Sequence, residues 1–211
     1  MPAIAKNIVR PPRLEIPLQA VLRRLRYKPG RSEVSPQAEK LLDEMVSLAE
    51  GLLAPAGLTA DLTVREISER EVGFLGTPVR FVSSRLARHL KDCFRATLLV
   101  CTLGPAIDEA QDRLAKEGET TRALILDAIG SETAEALAER LNLSVSQRAA
   151  KAGAPSRRRF SPGYTDWPLS EQAKIFDLLE PASIGVALNE AFMMEPQKSI
   201  SAIIGWERPA P

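Results

Sequence analysis

The sequence is poor in the residues that carry most hydrolytic and metal chemistry. It has one histidine, His89, and two cysteines, Cys93 and Cys101, among 211 residues. A Ser-His-Asp triad or a multi-histidine metal site needs more of these side chains. Two cysteines outside a CxxC pair build neither a disulfide scaffold nor a cysteine-rich zinc site. His89 and Cys93 stand four residues apart and could share a metal, but a surface imidazole near a buried thiol is the simpler interpretation. We expect no metal site and no histidine general base.

Net charge and long apolar runs are also lacking. Lys and Arg number 28 and Asp and Glu 27, so no overall field draws the chain toward nucleic acid. The cleanest apolar run, residues 96–101, is far too short to span a bilayer, and residues 1–13 contain no apolar core of a signal peptide. The GxGxxG, GxxxxGKS and HExxH motifs are missing. These absences predict a cytoplasmic protein without a nucleic-acid or membrane partner.

The sequence does contain both hydrophobic periodicities. Residues 58–67 alternate as in a half-buried strand, and residues 96–103 are a β-rich run typical of a central strand. Residues 119–152 lack proline and carry an apolar stripe, which predicts one long helix or two joined ones. Because strict βαβ alternation is absent, we predict an α+β fold with an antiparallel or mixed sheet and flanking helices. We divide it into an irregular N-terminal arm, 1–13, and a single domain, 14–211.

Two further elements are predicted from local signals. Ser84 is placed to cap a short helix that runs to Cys93. Two β-rich runs, 184–194 and 199–206, flank a four-residue turn, and this pattern predicts a C-terminal hairpin.

The most informative segment is the turn of residues 159–168. Pro162 fixes one φ angle, Gly163 permits a positive φ, and Pro168 can begin a helix. The stiff turn is flanked by the Arg159 guanidinium and the Tyr164 ring, which suits a small ligand with a carboxylate and a flat ring. A plain proline-rich turn remains the alternative, in which Tyr164 is half-buried. We expect Trp167 to pack in the core. Arg159 also ends a basic cluster that begins at Ser156, but without interleaved aromatics this is a weak nucleic-acid patch.

A pair of carboxylates precedes this turn. Glu135 and Glu139 lie on one face of the predicted long helix, away from its apolar stripe. Most such pairs form a solvated face, and the residues alone do not decide whether this pair does more.

Taken in order, these segments resemble the activation, or reactivation, domain of cobalamin-dependent methionine synthase in its short, free-standing form. The resemblance is carried by Arg159-x-Ser161-Pro162-Gly163-Tyr164, the helix after Pro168, Ile184-Gly185-Val186-x-Leu188-x-Glu190, and Pro196-x-Lys198-Ser199-Ile200-Ser201. It covers residues 120–205 most strongly. The resemblance implies an α+β fold with a twisted antiparallel sheet.

The resemblance also implies a function. Such a domain binds S-adenosylmethionine as methyl donor and docks over cobalamin that a separate methyltransferase chain carries. An electron from a flavodoxin- or ferredoxin-like donor completes the reactivation of cob(II)alamin. The chain would then be an accessory subunit of a methionine synthase system rather than an independent enzyme.

Residue roles follow from the same resemblance. Arg159 corresponds to the arginine that holds the methionine carboxylate. Ser161, Gly163 and Tyr164 correspond to the backbone that lines the ligand, and Glu135 to a glutamate at its cationic end.

Three positions of the full-length family domain lack counterparts here. We find no matching aspartate between Arg13 and Leu25, a second glutamate falls on Gly153, and a late tyrosine would fall past Trp206. These departures motivate an alternative, a non-catalytic module that caps a corrinoid protein and no longer binds S-adenosylmethionine. An unrelated small-ligand hydrolase is disfavoured by the single histidine.

Overall fold

The computed structural model describes residues 4–27 and 35–208. Its main feature is a six-stranded sheet in which every pairing is antiparallel. The strands are β1 (Lys6–Val9), β2 (Ala56–Ile67), β3 (Glu71–Phe74), β4 (Arg80–Val82), β5 (Cys93–Thr102) and β8 (Ser199–Glu207). The spatial order is β4-β3-β2-β5-β8, and β1 pairs with the first half of β2.

Among the described residues, six α-helices cover the two faces of this sheet. They are α1 (Leu18–Arg24), α2 (Pro36–Leu52), α3 (Ser84–Leu90), α4 (Ala106–Lys116), α5 (Thr120–Lys151) and α6 (Gln172–Leu179). Helices α1, α2, α4 and α5 pack on one face, and α3 and α6 on the other. The predicted α+β class with an antiparallel sheet and flanking helices is confirmed.

Strand β5 shows why its sequence reads as one apolar run. Leu98 and Val100 belong to the core under α3 and α6, while Leu99 and Cys101 belong to the core under α5. Alternate side chains of a strand point to opposite faces, so a strand covered on both faces must be apolar throughout. The prediction of a central strand here is confirmed, because β5 pairs with both β2 and β8.

Helix α5 is a single helix of 32 residues. Its predicted stripe is buried and faces the sheet, and it includes Leu126, Ile129, Thr133, Leu137 and Leu141. Glu135 and Glu139 are exposed residues of α5 and lie outside this stripe.

Three local predictions need correction. Residues 6–9, expected to be irregular, form β1, because their main chain pairs with residues 57–60 of β2. The cap of α3 is Ser83 rather than Ser84: its Oγ accepts from the Leu86 amide at 3.0 Å, and the helix ends at Leu90.

The C-terminal hairpin prediction was wrong. Strand β6 (Ala187–Leu188) pairs instead with β7 (Met194–Glu195), through a tight turn in which the Asn189 carboxamide oxygen accepts from the amides of Ala191 and Met193. Strand β8 pairs with β5 along almost its whole length. Strand β8 therefore pairs with a long strand that is distant in sequence and not with the neighbouring run. No short-range signal in the sequence indicates such a pairing.

None of the helices in residues 4–27 and 35–208 has both the length and the apolarity needed to cross a membrane.

The two thiols give a test of the packing. Burial raises the pKa of Cys93 to about 11 and that of Cys101 to about 12, since a thiolate is poorly solvated in either core. We expect neither thiol of the native protein to react with Ellman's reagent at pH 8, and both to react after unfolding in guanidinium. Rapid labelling of one equivalent in the native state would contradict the packing around that cysteine.

Candidate functional site

The segment before the turn is fastened to the outer edge of β8. The Phe160 amide donates to the Ile203 carbonyl at 2.9 Å, and the Ile203 amide returns a bond to the Phe160 carbonyl at 2.8 Å. The Arg157 amide donates to the Gly205 carbonyl at 2.8 Å. Because Arg157 and Phe160 are held by main-chain hydrogen bonds to β8, the backbone of Arg159 between them has a fixed position at the sheet edge.

The turn itself is closed by two main-chain hydrogen bonds. The Gly163 amide donates to the Trp167 carbonyl at 2.8 Å, and the Trp167 amide donates to the Tyr164 carbonyl at 3.1 Å. Gly163 has φ +87°, which only glycine adopts without strain. Pro162 is buried, as a stiff turn packed on the protein requires.

A stack of aromatic rings supports the turn from below. The rings of Phe160 and Trp167 are stacked with centroids 5.6 Å apart, and Phe81 meets Trp167 edge-on at 5.4 Å. Trp167 is fully buried, so the prediction that it packs in the core is confirmed. The His89 ring lies beside Phe160 and donates from Nε2 to the Arg158 carbonyl at 2.8 Å; burial lowers its pKa. His89 thus has a structural partner next to Arg159.

Asp166 ties the far side of the turn to α3. Its carboxylate accepts from Ser83 Oγ at 2.6 Å, from the Ser84 amide at 2.8 Å and from the Arg85 amide at 3.2 Å. The hydrogen bond from Ser83, with support from the amides, lowers the pKa of Asp166. The carboxylate therefore joins two segments that are distant in sequence.

Opposite the turn, the carboxylates of α5 meet Arg159. Glu135 forms an ion pair with the guanidinium, and Glu139 Oε2 lies 3.8 Å from Arg159 Nε. Glu135 and Glu139 are one helical turn apart, so both face the same guanidinium. The fold thus brings together Arg159 and Glu135, which the sequence separates by 24 residues.

A groove of about 950 Å³ opens beside this ion pair. Four of the five site residues expected from the sequence line it: Arg159, Glu135, Ser161 and Tyr164. Gly163 does not line the groove, and its amide is already bonded within the turn. Tyr164 is 65% exposed at the mouth, which excludes the half-buried alternative for its ring. The volume falls within the usual range for small-ligand sites.

Comparison with known proteins shows the family of the chain. The family model described as the activation domain of vitamin B12 dependent methionine synthase matches residues 84–210, more than half of the chain. The chain belongs to this family. The predicted resemblance is thereby confirmed, and the match contains α5 and the whole turn.

A solved structure shows the same fold. The crystal structure of the MetH reactivation domain bound to AdoHcy aligns with a TM-score of 0.72 at 17% identity, covering 100% of this chain and 81% of that chain. At this identity, the likeness establishes the fold of the activation domain and no residue role. Among curated proteins, no sequence matches.

Sequence reasoning missed the polar floor of this activation domain. Gln172 is 2% exposed; its Oε1 accepts from Ser201 Oγ at 2.6 Å and its Nε2 donates to the Phe192 carbonyl at 2.7 Å. Lys198 is 7% exposed, and like Gln172 and Ser201 it lines the groove. Nothing in local spacing marks a glutamine or lysine as buried. The one usable signal was Gly130, an isolated glycine inside a long helix, which indicates a close approach.

Asp166 provides a test of how the turn is held. Because its pKa is lower in the folded protein, its contribution to stability is present above the ordinary carboxyl pKa near 4 and disappears as the pH falls through the lowered value. We expect Asp166→Asn to unfold at lower denaturant than wild type at pH 7, with the difference shrinking toward pH 2. Asp177→Asn, an exposed change on α6, is the matched control. An equal difference at both pH values would show that charge on Asp166 is not what anchors the turn.

Proposed function

We propose that the protein binds S-adenosylmethionine in the groove beside Arg159 and acts as the reactivation subunit of a cobalamin-dependent methyltransferase. The observation that carries the proposal is the Arg159–Glu135–Glu139 cluster at the mouth of a ligand-sized groove, in a chain of the activation-domain family. The AdoHcy in the related crystal structure supports a ligand of the same class.

The charges of the cluster match those of the ligand. One guanidinium and two carboxylates leave a net charge of about −1. S-adenosylmethionine carries a carboxylate, an ammonium and a sulfonium, a net charge of about +1. Arg159 can hold the carboxylate with two parallel hydrogen bonds, while Glu135 and Glu139 face the cations.

The internal ion pair does not prevent binding. The side chains of Arg159, Glu135 and Glu139 are 23%, 49% and 66% exposed, so their attraction is screened by water. Partly exposed pairs of this kind are worth about 0–1 kcal/mol. A ligand carboxylate can therefore replace Glu135 on the guanidinium at small cost, and Glu135 then gains the ligand's cation.

The turn supplies shape rather than charge. Ser161 and Tyr164 line the groove on the side away from α5, and the phenol ring offers an exposed face to a flat base. Gly163 contributes through its positive φ, which places the turn residues around it. The aromatic stack below the turn keeps this wall rigid.

Membership of the activation-domain family supports a role for this binding in methyl transfer to cobalamin. When bound, S-adenosylmethionine supplies a methyl group that is attached to a sulfonium. The sulfonium becomes a neutral thioether when the methyl group is transferred to the partner's reduced cobalamin. We propose that the cobalamin-binding chain and a flavodoxin- or ferredoxin-like donor come from outside this protein. Its own residues bind the donor, orient its methyl group toward the mouth and keep its amino-acid tail fixed.

Removal of the guanidinium is the first test. We expect Arg159→Ala to weaken S-adenosylmethionine binding by about tenfold or more, because a charged hydrogen-bond partner of the carboxylate is lost. Isothermal calorimetry measures the affinity. In a mixture with the corrinoid partner and a reductant, the same variant should slow the S-adenosylmethionine-dependent loss of cob(II)alamin absorbance.

Arg65→Ala, an exposed arginine of β2 outside the groove, is the matched control. An affinity for S-adenosylmethionine that is unchanged in Arg159→Ala would overturn the proposed role of Arg159 in holding the carboxylate. If wild-type protein captures the corrinoid partner but binds no S-adenosylmethionine with or without it, the chain is the capping module and not a methyl-donor subunit.

The role of Glu135 is tested by comparing two ligands. S-adenosylhomocysteine lacks the sulfonium charge, so a carboxylate at the cationic end should favour S-adenosylmethionine over it. We expect Glu135→Gln to reduce that preference several-fold, about the effect of one partly screened charge pair. Glu109→Gln on α4 is the control, and an unchanged preference would place Glu135 away from the sulfonium.

A further inference from the structure

Lys198 is an unusual residue for the position it occupies. It lies just before β8, its side chain is only 7% exposed, and it lines the groove. Its main chain is fixed on both sides, since the Leu103 amide donates to the Lys198 carbonyl at 3.0 Å and the Gln197 amide donates to Asp108 Oδ2 at 2.6 Å. Lysine is rarely buried unless it is paired.

The fold makes room for this lysine at Gly130. A Cβ at Gly130 would stand 2.9 Å from Lys198 Cε and 3.0 Å from Ile107 Cγ2. An alanine would therefore displace the lysine stem. A glycine inside a helix costs about 1 kcal/mol relative to alanine. A buried lysine and a mid-helix glycine are each unfavourable for stability, and here the glycine makes room for the lysine stem. Such local conflicts are expected at functional sites.

The ammonium keeps a hydrogen-bonding capacity for a ligand. Lys198 Nζ donates to Asp127 Oδ1 at 2.5 Å and lies 3.4 Å from Ser131 Oγ. An ammonium has three N–H donors, and these two acceptors are its side-chain partners among the described residues. Ser131 also lines the groove, and its hydroxyl can donate as well as accept.

This polar group lies at a defined spacing from the arginine cluster. Ser131 and Asp127 precede Glu135 by one and two turns of α5, which corresponds to about 6 and 12 Å along the helix. Ser131 and Glu135, which both line the groove, therefore place two polar groups on the same face of one helix. A ligand that spans both must carry charged groups at one end and hydrogen-bonding groups a few bonds away.

We propose that Lys198 and Ser131 form a second subsite that recognises the hydroxyl groups of a ribose, a specificity element that rests on the proposed binding of S-adenosylmethionine. The Lys198–Asp127 pair is neutral overall, so it does not select a phosphate. A vicinal diol suits it, because one hydroxyl can accept the remaining N–H of Lys198 and the other can donate to Ser131 Oγ. Arg159 then holds the amino-acid end, Glu135 faces the sulfonium, and Lys198 holds the sugar.

The test compares S-adenosylmethionine with its 2′,3′-dideoxyribose analogue on the full chain. We expect wild-type protein to bind S-adenosylmethionine about tenfold more tightly than the analogue, the loss of one hydrogen bond to a charged donor. In Lys198→Met this preference should fall to the smaller part that Ser131 supplies, because only the hydroxylated ligand loses affinity. Lys116→Met, an exposed lysine of α4, is the control and should keep the preference.

Ser131→Ala gives a second measurement if Lys198→Met fails to fold, as judged by circular dichroism. It should also reduce the preference for the ribose hydroxyls while leaving the affinity for the analogue unchanged. Equal weakening of both ligands in these variants would assign Lys198 a structural role and overturn the inference, as would equal affinities in wild type. Wild-type protein that binds neither ligand would overturn the proposed function together with the subsite.

Discussion

The site depends on the main-chain pairing of Phe160 with Ile203. This pair of hydrogen bonds attaches the segment before the turn to the edge of β8, and it does so directly beside Arg159. Without it, a long cationic side chain on a loop would lose its fixed approach to α5. Main-chain pairing also lets the neighbouring Phe160 ring stack on Trp167, so the same residue links the sheet, the core and the site. The position of the guanidinium is therefore a consequence of sheet geometry rather than of loop packing.

The second constraint is electrostatic. The arginine faces two carboxylates across the groove, and all three side chains remain partly exposed. A fully buried cluster of this kind would be held together against any ligand, because removing one partner leaves a buried unpaired charge. Partial exposure keeps the pairing weak. The arrangement can thus be stable without a ligand and still exchange partners when a zwitterion enters.

Sequence reasoning succeeded where the cause is local. The central strand β5 leaves a continuous apolar run because both of its faces are buried, and the long helix α5 leaves a periodic stripe because burial acts on every third to fourth residue. Pro162 and Gly163 disclosed a stiff turn because their effect is on their own backbone angles. Pairings between distant segments leave no such signature: the partner of β8 is β5, about a hundred residues earlier, and the local hairpin rule failed there. The meeting of Glu135 with Arg159 came from the family resemblance and not from spacing, and the burial of Lys198 came only from the fold.

The two ends of the groove differ in a way that follows from their burial. At the mouth, Arg159 is paired weakly and stands next to an exposed tyrosine. On the floor, Lys198 is 7% exposed and its stem lies against Gly130. Charges near solvent exchange partners at low cost, whereas an ammonium that is already desolvated and oriented needs no rearrangement to donate another bond. For the proposed ligand, binding energy from the floor therefore depends on preorganisation, and binding energy from the mouth depends on exchange of ion-pair partners. A ligand that reaches only the mouth must compete with Glu135 for the guanidinium, so the proposed site favours a ligand that also reaches Lys198 over a free amino acid.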